Sequence, residues 1–312
     1  MTEALPTVPK VTLGRSGIES TKIGLGTANW IGRTSDGNLL SIMREAFRLG
    51  IRHLDTAPSY EQERLARLLR EADPPDDLVV ITKVGRLRNA AGEIEFDFDP
   101  DPAERTVELN LRQLEMEKLP IVLLHDCTDE DLPYILSKGG VLERLRKLQS
   151  QGIIEAVGVA TGQRQAVALA AESGEFDIIQ SYHLYTLLNR VATERIFPAV
   201  RKHNLGVVNL SPFAGNVLAT GAIEGAVYSY LPASEPVLHE VGRMERECAA
   251  KGVSLPIAAL TFSLLCQDVD VTVIGPVSIK ELREDVAALN PALTEDELLA
   301  IASKTNHHNY WG

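Results

Sequence analysis

The chain has 312 residues, of which 45% are hydrophobic and 24% charged, a composition that supports a sizeable core and argues against disorder. Its formal net charge of −12 excludes a surface built to neutralise phosphates, so neither nucleic acid nor an anionic membrane is expected as a partner. Three cysteines, Cys127, Cys248 and Cys266, are too few and too scattered for a disulfide framework or a zinc site, which points to a reducing cytoplasm.

The opening MTEALPTVPK has no apolar run behind a basic start, and no stretch of about eighteen apolar residues follows, so neither a secretion signal nor a membrane span is expected. Next, VTLGRSGIES alternates apolar with polar residues around glycines, the pattern of a hairpin. Eight short apolar runs then recur: Lys22 to Thr27, Ile51 to Asp55, Leu78 to Thr82, Pro120 to Leu124, Ile153 to Val159, Phe176 to Gln180, Gly206 to Leu210 and Asp270 to Ile274. Their near-continuous Val, Ile and Leu suits parallel strands buried on both faces. Between them lie apolar stripes at helical spacing, such as Leu39, Ile42, Met43, Ala46 and Phe47, then Val107, Leu111 and Leu114. Val237, Val241, Met244 and Cys248 repeat the pattern, as do Ile279, Leu282, Val286 and Leu289. The alternation predicts an α/β protein with one domain over residues 1–312, a (β/α)8 TIM barrel whose floor is closed by the N-terminal hairpin. Two long connections, Gly85 to Pro102 and Pro212 to Pro236, follow strand C-termini and are expected to be functional.

Active sites of such barrels lie at the C-terminal ends of the strands. Four polar residues satisfy that rule: Asp55 ends IRHLD, Tyr60 follows it by five, Lys83 ends VVITK and His125 ends PIVLLH. A tyrosine works as a general acid or base near neutrality only if its phenolate is stabilised. An ammonium stabilises it, and a carboxylate can hold that ammonium in place. Lys83 and Asp55 are expected to fill these roles, with His125 orienting the substrate oxygen. Trp30, on the loop after the first strand, is a candidate wall of the substrate pocket, whereas Cys127 reads as a small buried hydrophobe. His307 and His308 are adjacent and have no evident third partner, so no metal is expected.

GLGT, DTAPSY, VVITKVG, LPIVLLHD, GIIEAVGV, DIIQSY and LSPFAGNVLATG appear in this order, and in that order the chain resembles the aldo-keto reductases over nearly its whole length. The resemblance implies an NAD(P)-dependent oxidoreductase that moves a hydride between nicotinamide and a carbonyl or alcohol, with Asp55, Tyr60, Lys83 and His125 as its catalytic tetrad. Tyr60 and His125, with Trp30, would also meet the substrate. LHDCTDEDLP and FAGNVLATG are similar to the branch that oxidises free aldoses or lactols at the anomeric carbon. The alternatives are an aldehyde or ketone reductase of a biosynthetic pathway, a nucleotide-holding regulatory protein with little turnover, and a lyase or aldolase that uses Lys83 as a Schiff-base amine.

The resemblance also implies a cofactor bound without a Rossmann fingerprint. Gly26, Thr27 and Asp55 would lie near the nicotinamide, with Gln180 and Thr161 on its carboxamide. Ser211, Pro212, Phe213, Gly215, Asn216 and Leu218 would follow the pyrophosphate, and Ser278 and Asp285 would face the adenosine. Glu281 stands where phosphate-binding members tend to carry Arg. It would repel a 2′-phosphate, so NAD is expected, with NADP possible through Lys280 and Arg283.

Overall fold

The computed structural model describes residues 5–89 and 91–307. Eight parallel strands close a barrel: β1 (Ile23–Gly26), β2 (His53–Asp55), β3 (Val79–Val84), β4 (Leu119–His125), β5 (Ile154–Thr161), β6 (Ile178–Tyr182), β7 (Gly206–Leu210) and β8 (Val271–Ile274). Each pairs with its successor, and β8 returns to β1 with Val273 opposite Gly24. All eight expected strands are present. β3, β4, β5 and β6 run past their expected ends because the ladder continues there, pairing Val84 with Leu124, His125 with Ala160, Thr161 with Ser181 and Tyr182 with Leu210.

Three of the described helices that wrap the barrel, those beginning at Asp36, Ile279 and Glu295, start behind a side-chain cap. Before α1 (Asp36–Arg48), the Ser35 side chain accepts from the Asn38 amide, satisfying an otherwise orphaned donor. The helix then buries Leu39, Ile42, Met43 and Ala46. After α2 (Gln62–Ala72), α3 (Pro100–Leu114) opens with its proline at the first turn, where a missing N–H costs nothing. The ring continues through α4 (Val141–Ser150), α5 (Arg164–Ser173), α6 (Ile196–His203), α7 (Glu235–Ala250), α8 (Leu255–Leu265), α9 (Ile279–Ala287) and α10 (Glu295–Ile301). One apolar cluster fills the shell between strands and helices. A second fills the barrel interior with Val79, Ile81, Ile121, Leu123, Ile178, Val208 and Val271 among others, so the barrel is solid rather than a pore.

The N-terminal hairpin is present, Lys10–Thr12 pairing antiparallel with Glu19–Thr21. Its connecting turn sends Leu13 into the interior cluster and Arg15 to the Gly174 and Phe176 carbonyls, at 2.8 and 2.7 Å. Both long connections contain structure. The first folds as an antiparallel pair, Arg86–Arg88 with Ile94–Phe96, and the second as a short helix, Val217–Thr220, and a strand pair, Val227–Tyr228 with Leu231–Pro232.

Near the C-terminus, the His307 amide donates to the Leu188 carbonyl at 3.1 Å and the His307 carbonyl accepts from the Tyr228 hydroxyl at 2.8 Å. His308 and the residues after it lie outside the described residues. Among the described residues no group of three or more His, Cys, Asp or Glu can hold a metal, and no single helix is long and apolar enough to cross a membrane.

Candidate active site

The four residues expected at the strand ends converge. Asp55 ends β2, and the Tyr60 amide closes a turn onto the Ala57 carbonyl at 2.8 Å. Lys83 lies on β3 and His125 ends β4. Lys83 Nζ donates to Asp55 Oδ1 and Oδ2 at 2.9 and 2.8 Å and to the Thr56 carbonyl at 2.8 Å. The pair is 2% and 6% exposed at its side chains, so each charge depends on the other to offset its desolvation. Lys83 Nζ sits 5.5 Å from the centre of the Tyr60 ring, which meets the His125 imidazole edge to face at 6.0 Å.

The electrostatics differ from the expectation in one respect. An ammonium has three protons, and Asp55 and Thr56 take all three of those on Lys83. Lys83 therefore makes no hydrogen bond to the Tyr60 hydroxyl. Burial, aided by Asp55, raises Tyr60 above its ordinary value, and the charge that opposes this is Arg86. Asp55 and Thr56 thus hold the Lys83 ammonium while the net direction for Tyr60 is upward. Burial first, then Lys83 and Arg86, pushes His125 well below its ordinary value. The imidazole is neutral at physiological pH, suited to hydrogen-bonding a carbonyl oxygen without adding charge.

The expected cofactor residues are distributed unevenly. Gly26 pairs with Asp55 across the ladder, and the Thr27 amide and hydroxyl both donate to the Asp55 carbonyl at 3.0 and 3.1 Å, which ties the end of β1 to the tetrad. Gln180 Nε2 donates to Asp55 Oδ2 at 2.9 Å. Its Oε1 is buried and lacks a hydrogen-bond partner among the described residues. An orphaned acceptor beside the tetrad fits the carboxamide N–H of a nicotinamide. Thr161 is buried, and its hydroxyl oxygen accepts from the Gln163 amide at 3.2 Å.

Along the loop after β7, Ser211, Ala214 and Gly215 have φ of 56°, 54° and 91°. A Cβ on Gly215 would fall 2.5 Å from the Val227 carbonyl oxygen, so only glycine fits there. Pro212 and Phe213 continue the loop, Phe213 packing against the shell core. Asn216 is turned to structure, its Oδ1 accepting from the Val227 amide at 2.6 Å. Leu218 is fully buried and its amide donates to the Phe213 carbonyl at 3.2 Å. Ser278 caps α9, accepting from the Glu281 amide, and Asp285 lies about two turns further along that helix.

Trp30 is buried and its Nε1 donates to the Pro276 carbonyl at 3.1 Å. It anchors the loop after β1 to that after β8, and it also lines a cleft with Thr27, Ile31 and Tyr60. Cys127 is fully buried, as expected.

Several mouth residues escaped the sequence reading. Arg86 reaches in from the hairpin after β3 with Nε 3.4 Å from Asp126 Oδ2, and the Tyr182 hydroxyl donates to Asp126 Oδ1. Tyr230, at the tip of the second hairpin, meets Tyr182 and His183 edge to face at 6.2 and 5.3 Å. The available signal was adjacency: Asp126 follows His125, and Arg86 stands three residues after Lys83.

Comparisons with known proteins place the chain and its fold. The chain is 26% identical to L-galactose dehydrogenase of Arabidopsis thaliana, covering 94% of this chain and 90% of that protein. It is 27% identical to D-threo-aldose 1-dehydrogenase of a Pseudomonas species, covering 89% and 92%. The fold superposes on that of an aldo-keto reductase from Bacillus halodurans with a TM-score of 0.81, 24% identity, and coverage of 98% of this chain and 100% of the other. The model of the Aldo/keto reductase family matches residues 22–306, so the chain belongs to that family and is an oxidoreductase of the kind that uses a nicotinamide cofactor.

Proposed function

We propose that this protein oxidises a sugar or lactol, or reduces the corresponding carbonyl, with Tyr60 transferring the proton and His125 hydrogen-bonding the oxygen. The observation that carries the reading is the buried Lys83–Asp55 pair lying beneath Tyr60 and beside His125. A bound nicotinamide supplies or accepts the hydride; this chain's own residues orient the oxygen and move its proton. Tyr60 at its raised value is protonated at neutral pH, the state required of a donor in carbonyl reduction. Asp55 and Thr56 fix Lys83 and, by engaging all its protons, oppose a Schiff-base role, which needs a free amine. The similarity to two named sugar dehydrogenases supports the sugar assignment.

NAD is the preferred cofactor. Glu281 Oε2 accepts from the Val277 amide at 2.9 Å, placing a carboxylate at the start of α9. The two cations that would favour NADP are engaged elsewhere: Arg283 Nε contacts Glu45 at 2.9 Å and Lys280 contacts Glu284 at 3.7 Å. Three buried free cysteines suit a reducing compartment, the cytoplasm.

Replacing Tyr60 by Phe removes the proton carrier while keeping the ring. We expect turnover to fall by about a thousandfold or more, measured by nicotinamide absorbance, while NADH binding followed by fluorescence is retained. Near-normal rates in Tyr60→Phe would remove the assignment. Wild-type protein that binds nucleotide but turns over no aldehyde, ketone or sugar would instead make the chain a nucleotide-holding protein.

A further inference from the structure

Arg86 and Asp126 come from different elements and meet next to the reacting end of the site. Arg86 Nε is 3.4 Å from Asp126 Oδ2, and His125 Nε2 is 3.8 Å from the same oxygen. Since the His125 imidazole is neutral, the second contact is no ion pair. The Tyr182 hydroxyl holds the other carboxylate oxygen. Arg86 Nε is buried and has no hydrogen-bond partner among the described residues, and no hydrogen bond from them reaches Asp126 Oδ2. A buried donor and an acceptor side by side, each with capacity left, form an arrangement that a folded protein keeps only for a reason.

The backbone supports the same reading. Asp126 has φ of 57°, a left-handed conformation that L-residues adopt at a cost and that clusters at ligand clamps. His183 and Tyr230, whose rings meet Tyr182 edge to face, also have positive φ. The side chains of Arg86 and Asp126 are 24% and 11% exposed, so the pair is within reach of a ligand in the mouth.

The charges select among ligands. An anionic group drawn to Arg86 would also meet Asp126, and an apolar group would leave both unmatched. A neutral hydroxyl donates and accepts at once and so satisfies both. The Tyr182 and Tyr230 rings, nearly perpendicular at 84°, add apolar edges against which the C–H face of a polyol can lie.

We propose that Arg86 and Asp126, with Tyr182 positioning the carboxylate, form a subsite for a hydroxyl group on the carbon next to the one that reacts. The substrate class is then hydroxylated carbonyl compounds and sugars rather than plain aldehydes, a specificity that rests on the hydride-transfer reading above.

The test compares glyceraldehyde with propanal, which share a carbon skeleton and differ in two hydroxyls, by NADH or NADPH oxidation in wild type, Asp126→Asn and Arg86→Met. Asparagine tolerates the left-handed backbone, so Asp126→Asn is expected to fold. Wild type is expected to prefer glyceraldehyde by about tenfold or more in kcat/KM, and each variant to lose most of that preference. Should Arg86→Met not fold, Tyr182→Phe removes only the hydroxyl that holds Asp126 and must raise KM for glyceraldehyde more than for propanal. Equal kcat/KM in wild type, or variants that slow both substrates in parallel, would overturn the subsite and leave the hydride-transfer reading intact. Wild type silent toward both aldehydes, and toward aldoses in the oxidative direction, would remove that reading and the subsite together.

Discussion

Asp285 lies half-buried on α9 near Glu281 and Glu284. Burial, then the charge of these two neighbours, pushes its carboxyl up to about 8. Its folded-state value is thus above the ordinary 3.8, so the folded protein keeps a proton that the unfolded chain releases earlier. Stability linked to this group is full in acid and is lost as pH rises through the window between those values. Asp285→Asn stays neutral throughout. We expect it to melt with wild type near pH 3 and several degrees higher near pH 9; a constant difference across that range would show that Asp285 does not titrate as the fold implies. The residue scale also shows where sequence reading stops. Asp55, Tyr60, Lys83 and His125 were legible because each stands at a strand end with complementary chemistry. The allocation of the Lys83 protons was not, since it depends on the Thr56 carbonyl and both Asp55 oxygens lying within 2.9 Å at once. Arg86 and Asp126 were not legible as a pair for a similar reason: they are forty residues apart and meet only because β3 and β4 pair side by side.

At the scale of elements, the eight strands were legible because a strand buried on both faces must be apolar throughout. The hairpin after β3 was not, since Arg86–Arg88 and Ile94–Phe96 are half-buried to exposed and their sequences, RLR and IEF, have no distinctive period. What sets this hairpin is one glycine. Gly85 has φ of +89°, and a Cβ there would fall 2.3 Å from Phe98 Cε1. Its carbonyl accepts from the Asp97 amide at 2.9 Å, closing the hairpin base. Gly85→Ala therefore brings both a strained backbone and an overpacked contact, and a loss of about 2 to 4 kcal/mol is expected in denaturant unfolding. Because the hairpin carries Arg86, KM for a hydroxylated substrate should rise as well. Unchanged stability would mean that the hairpin base is free to move aside.

Over the whole molecule the barrel separates what stabilises it from what works. The proposed catalytic groups occupy one end, whereas the N-terminal hairpin closes the other with Leu13, which is fully buried in the interior cluster. Arg15, two residues on, binds the carbonyls of Gly174 and Phe176 just before β6 and holds the hairpin against the barrel. Leu13→Ala would open a cavity in an interior that strands on all sides prevent from collapsing. The expected cost is about 3 kcal/mol, seen as a fall of roughly 5 to 10 °C in Tm. Between Leu13 and the tetrad lie stacked strand side chains, among them Ile81 and Leu123 on the strands that carry Lys83 and His125. These are close-packed and give the floor no soft path to the mouth. Thus kcat/KM at 25 °C should stay within about twofold of wild type while Tm drops. A parallel loss of activity well below the melting range would show that the tetrad's geometry depends on the floor, contrary to the division of labour that the closed barrel implies.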